Sequence, residues 1–278
     1  CDWSSDVCSS DLGTNVAGFR ADNGSTLSTT TGPIAVVADG TPDGIVIADA
    51  SVTSTKGNID LKSDQIVLDE AAATISSSGQ LSIYARTNGT SIGIGDGVGS
   101  LLLSSGELGR LSDGFSAIVI GAPLGVGAGQ VAIQNVTFHD DLTVVGSSIA
   151  VTGLNSGTNT IALLATTGSI QTAAVGTRTS LDITAGAAFF SGQQGVGDED
   201  VWLLTSISTI AAQTEIGDLS FYNNVPLTIG SVTTPGYGSQ HHGLTLVDTN
   251  DGNAIGDAIF VYAAGGLVVD QPVDNNSG

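Results

Sequence analysis

The chain has almost nothing with which to hold a nucleic acid. Among 278 residues there are 6 Lys and Arg against 27 Asp and Glu, a formal charge of −21. A row of phosphates would meet repulsion rather than neutralisation, and an anionic membrane surface would too. No run of 18 apolar residues is present, so a membrane-spanning helix is excluded. Methionine is absent, Pro numbers 6, and aromatics make up 5%. Cysteine occurs twice, at Cys1 and Cys8. What is abundant is Gly, with 39 residues, together with 61 Ser and Thr. The apolar content of 41% is too high for an acidic disordered tail.

The first twelve residues, CDWSSDVCSSDL, differ in texture from the remainder of the chain. Residues 2–11 resemble the translation of a sequencing-adapter oligonucleotide, with Leu12 completing the read. On that reading residues 1–12 are non-native and both cysteines leave with them. The remaining chain then has no disulfide and no thiol chemistry. Its acids fall to 24 against 6 bases. The native stretch is expected to begin near Gly13, inside a longer protein. Residues 13–270 are expected to form one β unit, and 271–278 a polar end or truncated continuation.

From Gly13 onward short apolar runs recur between Gly, Asn, Asp, Ser and Thr. Examples are IAVV at 34–37, IVI at 45–47, IDL at 59–61, IVL at 66–68, LSI at 81–83 and LLL at 101–103. The series continues with IVI at 118–120, VAI at 131–133, LTV at 142–144, IAV at 149–151, IAL at 161–163 and LDI at 181–183. It ends with VWL at 201–203, LTI at 227–229, LTL at 244–246 and IFV at 259–261. Alternation of branched and small or polar residues puts the branched pair on one face, so these read as strands of three to five residues. Helix signals are confined to single turns, DEAAAT at 69–74 and residues 105–110 around Glu107 and Leu108.

The runs also repeat. GNIDL at 57–61 is echoed by GQLSI at 79–83, 22 residues on, and Leu81 is followed by Leu101 after 20. A loose period of about 17–23 is the window for solenoid coils, where one repeat cannot close a core and its neighbours must cover it. The expected fold is all-β, a parallel β-helix. About 13 coils of roughly 20 residues, stacked at the β spacing, would make a rod of roughly 60 Å. A β-sandwich is the alternative, but it explains such short strands and so much Gly less well.

GNIDLKSDQIVLDEAAATISSSGQLSIYA at 57–85 and TNTIALLATTGSIQTAA at 158–174 resemble filamentous haemagglutinin-type adhesins and the wider group of large bacterial exoproteins. The likeness is one of rhythm, and covers most of residues 32–183. It implies a right-handed parallel β-helix, export through an outer-membrane secretion partner, and attachment or display at the bacterial cell surface.

Candidate chemistry is sparse. GIGDGVG at 93–99 and GVGAG at 125–129 lack the Lys and Ser/Thr of a phosphate-binding loop and read as loops leaving a coil. The three histidines lie in His139-Asp140-Asp141 and in His241-His242, the latter placed on an exposed turn. Glycoside hydrolysis needs two carboxylates on one face. Asp140 and Asp141 are adjacent and would point apart, whereas Asp198, Glu199 and Asp200 share a loop beside Trp202, which could stack on a sugar. Asp248, Asn250, Asp251, Asn253 and Asp257 crowd oxygen ligands into ten residues, a calcium candidate that lacks the Gly and Glu positions of an EF-hand loop. Asp39 with Asp43 is weaker still. No catalytic residue is assigned and no cofactor is required, calcium apart.

The expected function is therefore a stalk or passenger segment of a secreted, extracellular bacterial surface adhesin. It would contact a host or neighbour-cell glycan or protein, without catalysis, nucleic acid or membrane insertion. The alternatives are a polysaccharide-degrading β-helix enzyme, and a glycan-binding module that uses loops near 86–99, 192–200 and 233–257.

Overall fold

The computed structural model of the protein describes residues 18–39, 44–68, 72–122, 127–174, 180–247 and 257–275. Residues 1–17 lie outside this set, and so do Asp43 and the 248–256 segment. The described chain is almost entirely strand. Among the described residues 19 strands join one large sheet, and two further sheets of three strands flank it. Each of these pairings is parallel, and most join strands one repeat apart. The exception among the described residues is the antiparallel pair Ser231–Thr233 and Gln240–His242. Parallel stacking in sequence order is solenoid-like, and unlike the hairpin-connected sheets of an antiparallel sandwich.

Register shows how the branched residues are used. Ile34 pairs with Ile59, then Leu81, Ile118, Leu142, Ile161, Ala188, Ile210, Ile229 and Val269 follow one above another. A second column runs through Val36, Leu61, Ile83, Ile120, Val144, Leu163, Phe190, Ala212, Leu244 and Val273. From Ile34 to Ile229 and from Val36 to Leu244 the side chains are buried. Each buried Ile or Leu contributes about 1.5–3 kcal/mol relative to exposure. Residues two apart in one strand feed the two columns, which is why alternation in the sequence reads out as two aliphatic stacks.

The expected strands recur with few shifts. Ile34–Val37, Ile45–Ile47, Ile66–Leu68, Leu101–Leu103, Leu227–Ile229 and Leu244–Leu246 are all present. Length is the main correction. Ile183–Gly192 has 10 residues and Leu203–Thr214 has 12, beyond the three to five expected. Val131–Thr137 and Ile149–Asn155, at 7 residues each, also exceed it, and in these two the origin is visible. In each, two short inward-facing stretches are joined by one residue in the left-handed region, Asn135 at φ 49° and Gly153 at φ 68°. These two residues occupy the same place in successive rungs, between the pairs Gln134↔Thr152 and Val136↔Leu154. A Cβ on Gly153 would lie 2.7 Å from Asn135 Oδ1, so a side chain there adds displacement of the Asn135 amide to the strain of positive φ.

Three further expectations change. The step along the first column varies from 19 residues, Leu142 to Ile161, to 40, Ile229 to Val269, because segments are inserted within rungs. Among the described residues ten rows are stacked along this column, about 43 Å at the β spacing of roughly 4.8 Å, where 13 coils were expected of residues 13–278. The helical turn at Ser105–Leu108 is real and carries a capping box between Ser104 and Glu107. Thr74, by contrast, begins the strand Thr74–Ser77, and residues 69–71 are outside the described set. Alternation puts Asp182 on the outer side of a strand. It is instead fully buried, just ahead of the strand that begins at Ile183.

At the last described rung the columns are uncovered. Leu267, Val269 and Val273 are 45%, 56% and 44% exposed although they continue buried rows. An uncovered parallel rung offers both apolar side chains and backbone groups to another chain. We predict that the purified protein self-associates as concentration rises, read by static light scattering, and that the double substitution Leu267→Lys and Val269→Lys suppresses it. A wild-type monomer at high concentration would count against this reading of the end.

Candidate functional site

The most elaborate departure from the repeat is a hairpin inserted into one rung. Strands Leu227–Ile229 and Leu244–Leu246 both lie against Leu203–Thr214, pairing with its residues 209–210 and 212–214. Together they make one rung strand, interrupted after Ile229. Gly230 and Gly243 stand at the base of the interruption, where the Gly243 N–H donates to the Gly230 carbonyl at 2.9 Å. Residues 231–242 then leave the rung and fold back as a strap over the outer face of earlier rungs.

The outer face beneath the strap is mostly apolar, with two hydroxyl residues among its six. Ser82, Val119, Thr143, Ala162, Phe189 and Ala211 follow one another in register and all are buried. Val232 packs with Ala162, Phe189 and Ala211 in an apolar cluster separate from the inner core. Thr143 donates its hydroxyl proton to the Pro235 carbonyl at 2.8 Å. Gly236, at φ 75°, lies so close to the sheet that a Cβ would sit 2.7 Å from Val119 Cγ2. His241 stacks on Phe189 with ring centres 3.6 Å apart and planes 8° from parallel. His242, the exposed neighbour, meets the Ser231 hydroxyl through Nδ1 at 2.6 Å. The histidine pair, expected on an exposed turn, thus lies on a strand with one ring packed inward.

Between strap and sheet is a groove of about 280 Å³, with Val145, Leu164 and Phe189 below and Thr234, Tyr237 and His241 from the strap. Gln213 and Ser191 edge it, and the Gln213 amide donates to the Ser191 hydroxyl at 3.2 Å. A depression of about 540 Å³ shares Ser191 and Gln213 with it and reaches Gln193 and Glu215. Thr234 is 2% exposed, and its hydroxyl has no hydrogen-bond partner among the described residues. Burial first, and the charge of His242 second, hold the His241 imidazole below its ordinary value of 6.5. Its neutral form is favoured where it stacks.

The acids expected to carry chemistry are placed differently. Asp140 accepts the backbone N–H groups of Gly114 and Phe115 at 2.9 and 3.2 Å, while Asp141 accepts that of Thr160 at 2.7 Å. They do point apart, each to a different neighbouring segment. Asp182 accepts the Leu204 N–H and the Thr172 hydroxyl at 2.8 and 2.7 Å. Asp64 shows the same use. Burial alone would raise its pKa, but hydrogen bonds from the Thr87 side chain, the Thr87 and Arg86 N–H groups and Thr90 together hold it below 3.8. Asp39, the weaker calcium candidate, pairs with Arg86.

Asp198 and Asp200 share one surface turn, in which the Asp200 N–H donates to Asp198 Oδ1 at 3.0 Å. Trp202 donates its indole N–H to the Glu199 carbonyl at 2.8 Å and its ring meets Phe260 at 6.2 Å. Alongside, Tyr222 and Tyr262 stack at 4.7 Å on successive rungs. This is an aromatic outer face with acids at its rim. Asp257, the member of the 248–257 calcium candidate that falls within the described residues, accepts the Gly217 N–H at 2.7 Å. Asp248, Asn250, Asp251 and Asn253 lie outside them. Among the described residues no three His, Cys, Asp or Glu side chains gather as a metal site would require. Gly93 and Gly95 lie within the buried strand Ile92–Gly95, where a Cβ would strike backbone, so this glycine run serves close packing.

The sequence signal for the strap was there in part. Gly230 and Gly243 bracket a polar stretch inside an otherwise continuous rung. The outward residues Val119, Ala162, Phe189 and Ala211 are apolar where alternation elsewhere gives polar ones. No family model, curated protein or solved structure matches the chain.

Two outcomes are expected. Asp182→Ala leaves the Leu204 N–H and the Thr172 hydroxyl without that acceptor and should cost about 2–4 kcal/mol in urea unfolding, against less than about 1 kcal/mol for Asp198→Ala. His241 binds its proton less readily folded than unfolded. Its contribution is therefore complete above about pH 6.5 and declines as pH falls from there toward the lowered pKa. Protection factors for amide exchange across 231–242, taken relative to the intrinsic rate at each pH, should fall between pH 7.5 and 5, and His241→Phe should flatten that dependence.

Proposed function

We propose that the chain is a stalk or passenger segment of a secreted bacterial surface adhesin, built as a right-handed parallel β-helix and acting without catalysis. Its work is mechanical and presentational. It would carry a contact surface for a host or neighbour-cell glycan or protein away from the cell, after export of the parent chain through an outer-membrane partner. The observation that supports this most is the use of the acids. Asp140, Asp141, Asp182 and Asp257 accept backbone N–H groups of neighbouring segments, so they bind rung to rung instead of facing a common substrate. The remaining negative charge keeps such a surface soluble and repels like copies along their sides.

The rival depolymerase reading is centred on Asp198, Asp200 and Trp202. Incubation with a panel of neutral and acidic polysaccharides separates the two. The stalk reading expects no new reducing ends and no unsaturated products over a day. Product formation that Asp198→Asn or Asp200→Asn abolishes would establish the enzyme instead.

A further inference from the structure

We propose that the groove beneath the strap is a binding site for one uncharged sugar ring. The inference rests on the strap's geometry and stands apart from the stalk reading. The groove is preformed. Its roof is fixed at both ends, by Gly230 and Gly243 at the base and by the Thr143–Pro235 hydrogen bond and the close seat of Gly236 at the tip. A fixed roof lowers the ordering cost of binding.

Its chemistry is of one kind. Leu164 gives the floor an apolar surface, and Tyr237 and the His241 ring that covers Phe189 add aromatic faces, so one side suits the C–H face of a pyranose. The polar groups around this floor are neutral: the Gln213 amide, the Ser191 and Thr234 hydroxyls, and a His241 ring whose burial favours the uncharged form. Among the described residues no Lys, Arg, Asp or Glu lines the groove. A carboxylate, sulfate or ammonium entering it would lose water and gain no counter-charge. A polyhydroxylated neutral ring gains both kinds of contact. At about 280 Å³ the groove is small beside the roughly 300–1,000 Å³ of drug-sized sites, which fits one ring and not a chain.

Thr234 points the same way independently. Thr234 is one of the residues lining the groove, and its hydroxyl, closed off from solvent, has no partner among the described residues. Leaving such a group unsatisfied costs about 1–3 kcal/mol, a cost removed by a ligand hydroxyl toward which the Thr234 side chain turns about its Cα–Cβ bond. The adjoining depression, where Gln193 donates to Glu215 at 3.0 Å, is open to a second sugar of a longer glycan.

The test uses the full chain and a panel of methyl β-glucoside, methyl β-galactoside and N-acetylglucosamine, with N-acetylneuraminic acid and galactose 6-sulfate as charged comparators. Binding is followed by NMR through the His241 and Tyr237 ring resonances. At least one neutral sugar should bind in the millimolar range and at least tenfold more tightly than either charged one. Thr234→Val, which keeps the side-chain shape, should weaken binding about tenfold without lowering unfolding stability. Trp202→Ala, on the aromatic outer face, should leave it unchanged. The proposal is overturned if none of the neutral sugars shifts these rings at 50 mM, if a charged sugar binds as well, or if Thr234→Val binds like the wild type. A loss on Trp202→Ala places the sugar on the aromatic face and overturns it equally. None of these results bears on polysaccharide cleavage, which tests the stalk reading separately.

Discussion

Backbone hydrogen bonds between one rung and the next are the constraint on which the other features depend. They run along the stack, so each residue is held directly over its counterpart in the preceding repeat. Register then leaves no freedom: whatever faces inward at Ile59 must be matched at Leu81, Ile118 and Leu142, or a cavity opens in the column. A stack of this kind can absorb extra chain only between strands. This is why rungs differ by as much as 21 residues in length while the columns remain unbroken.

The same constraint explains how polar residues are used. Wherever the chain turns between strands, backbone N–H groups lose their rung partners, and a buried unpaired N–H is costly. Asp140, Asp182 and Asn223 meet this need. Asn223 is fully buried, donates to the Ile207 and Val225 carbonyls, and accepts from the Ile207 N–H and the Thr205 hydroxyl. Acids committed to corners are fixed in place and face different segments. The strap is a different solution, since it covers an outer column whose residues were already mostly apolar. It thereby creates, on this face, a small open groove lined by rings, an amide and hydroxyls.

Much of this was legible residue by residue. Branched residues two apart mark strands at nearly all the places where they occur, because inward burial demands them at period two. Repeats of GNIDL and GQLSI mark parallel stacking, because like sequences occupy like positions in successive rungs. Strand length was not legible. A single left-handed residue such as Asn135 or Gly153 joins two short strands into one, and Asn and Gly look the same in the sequence whether they end a strand or bend it. Asp182 departs from its expected side for a related reason. Alternation predicts a side, but just ahead of a strand the chain has not yet taken up that alternation.

The sequence by itself determined the class of fold, the aliphatic content of the columns and the strong net negative charge. Those properties depend on composition and on spacing along the chain. Only the tertiary structure decided where 231–242 would lie, that His241 would rest on Phe189 rather than in solvent, and which carboxylates would cap a neighbour's backbone. These are contacts between residues about 20 to 150 positions apart, and no local pattern encodes which distant rung a segment will meet.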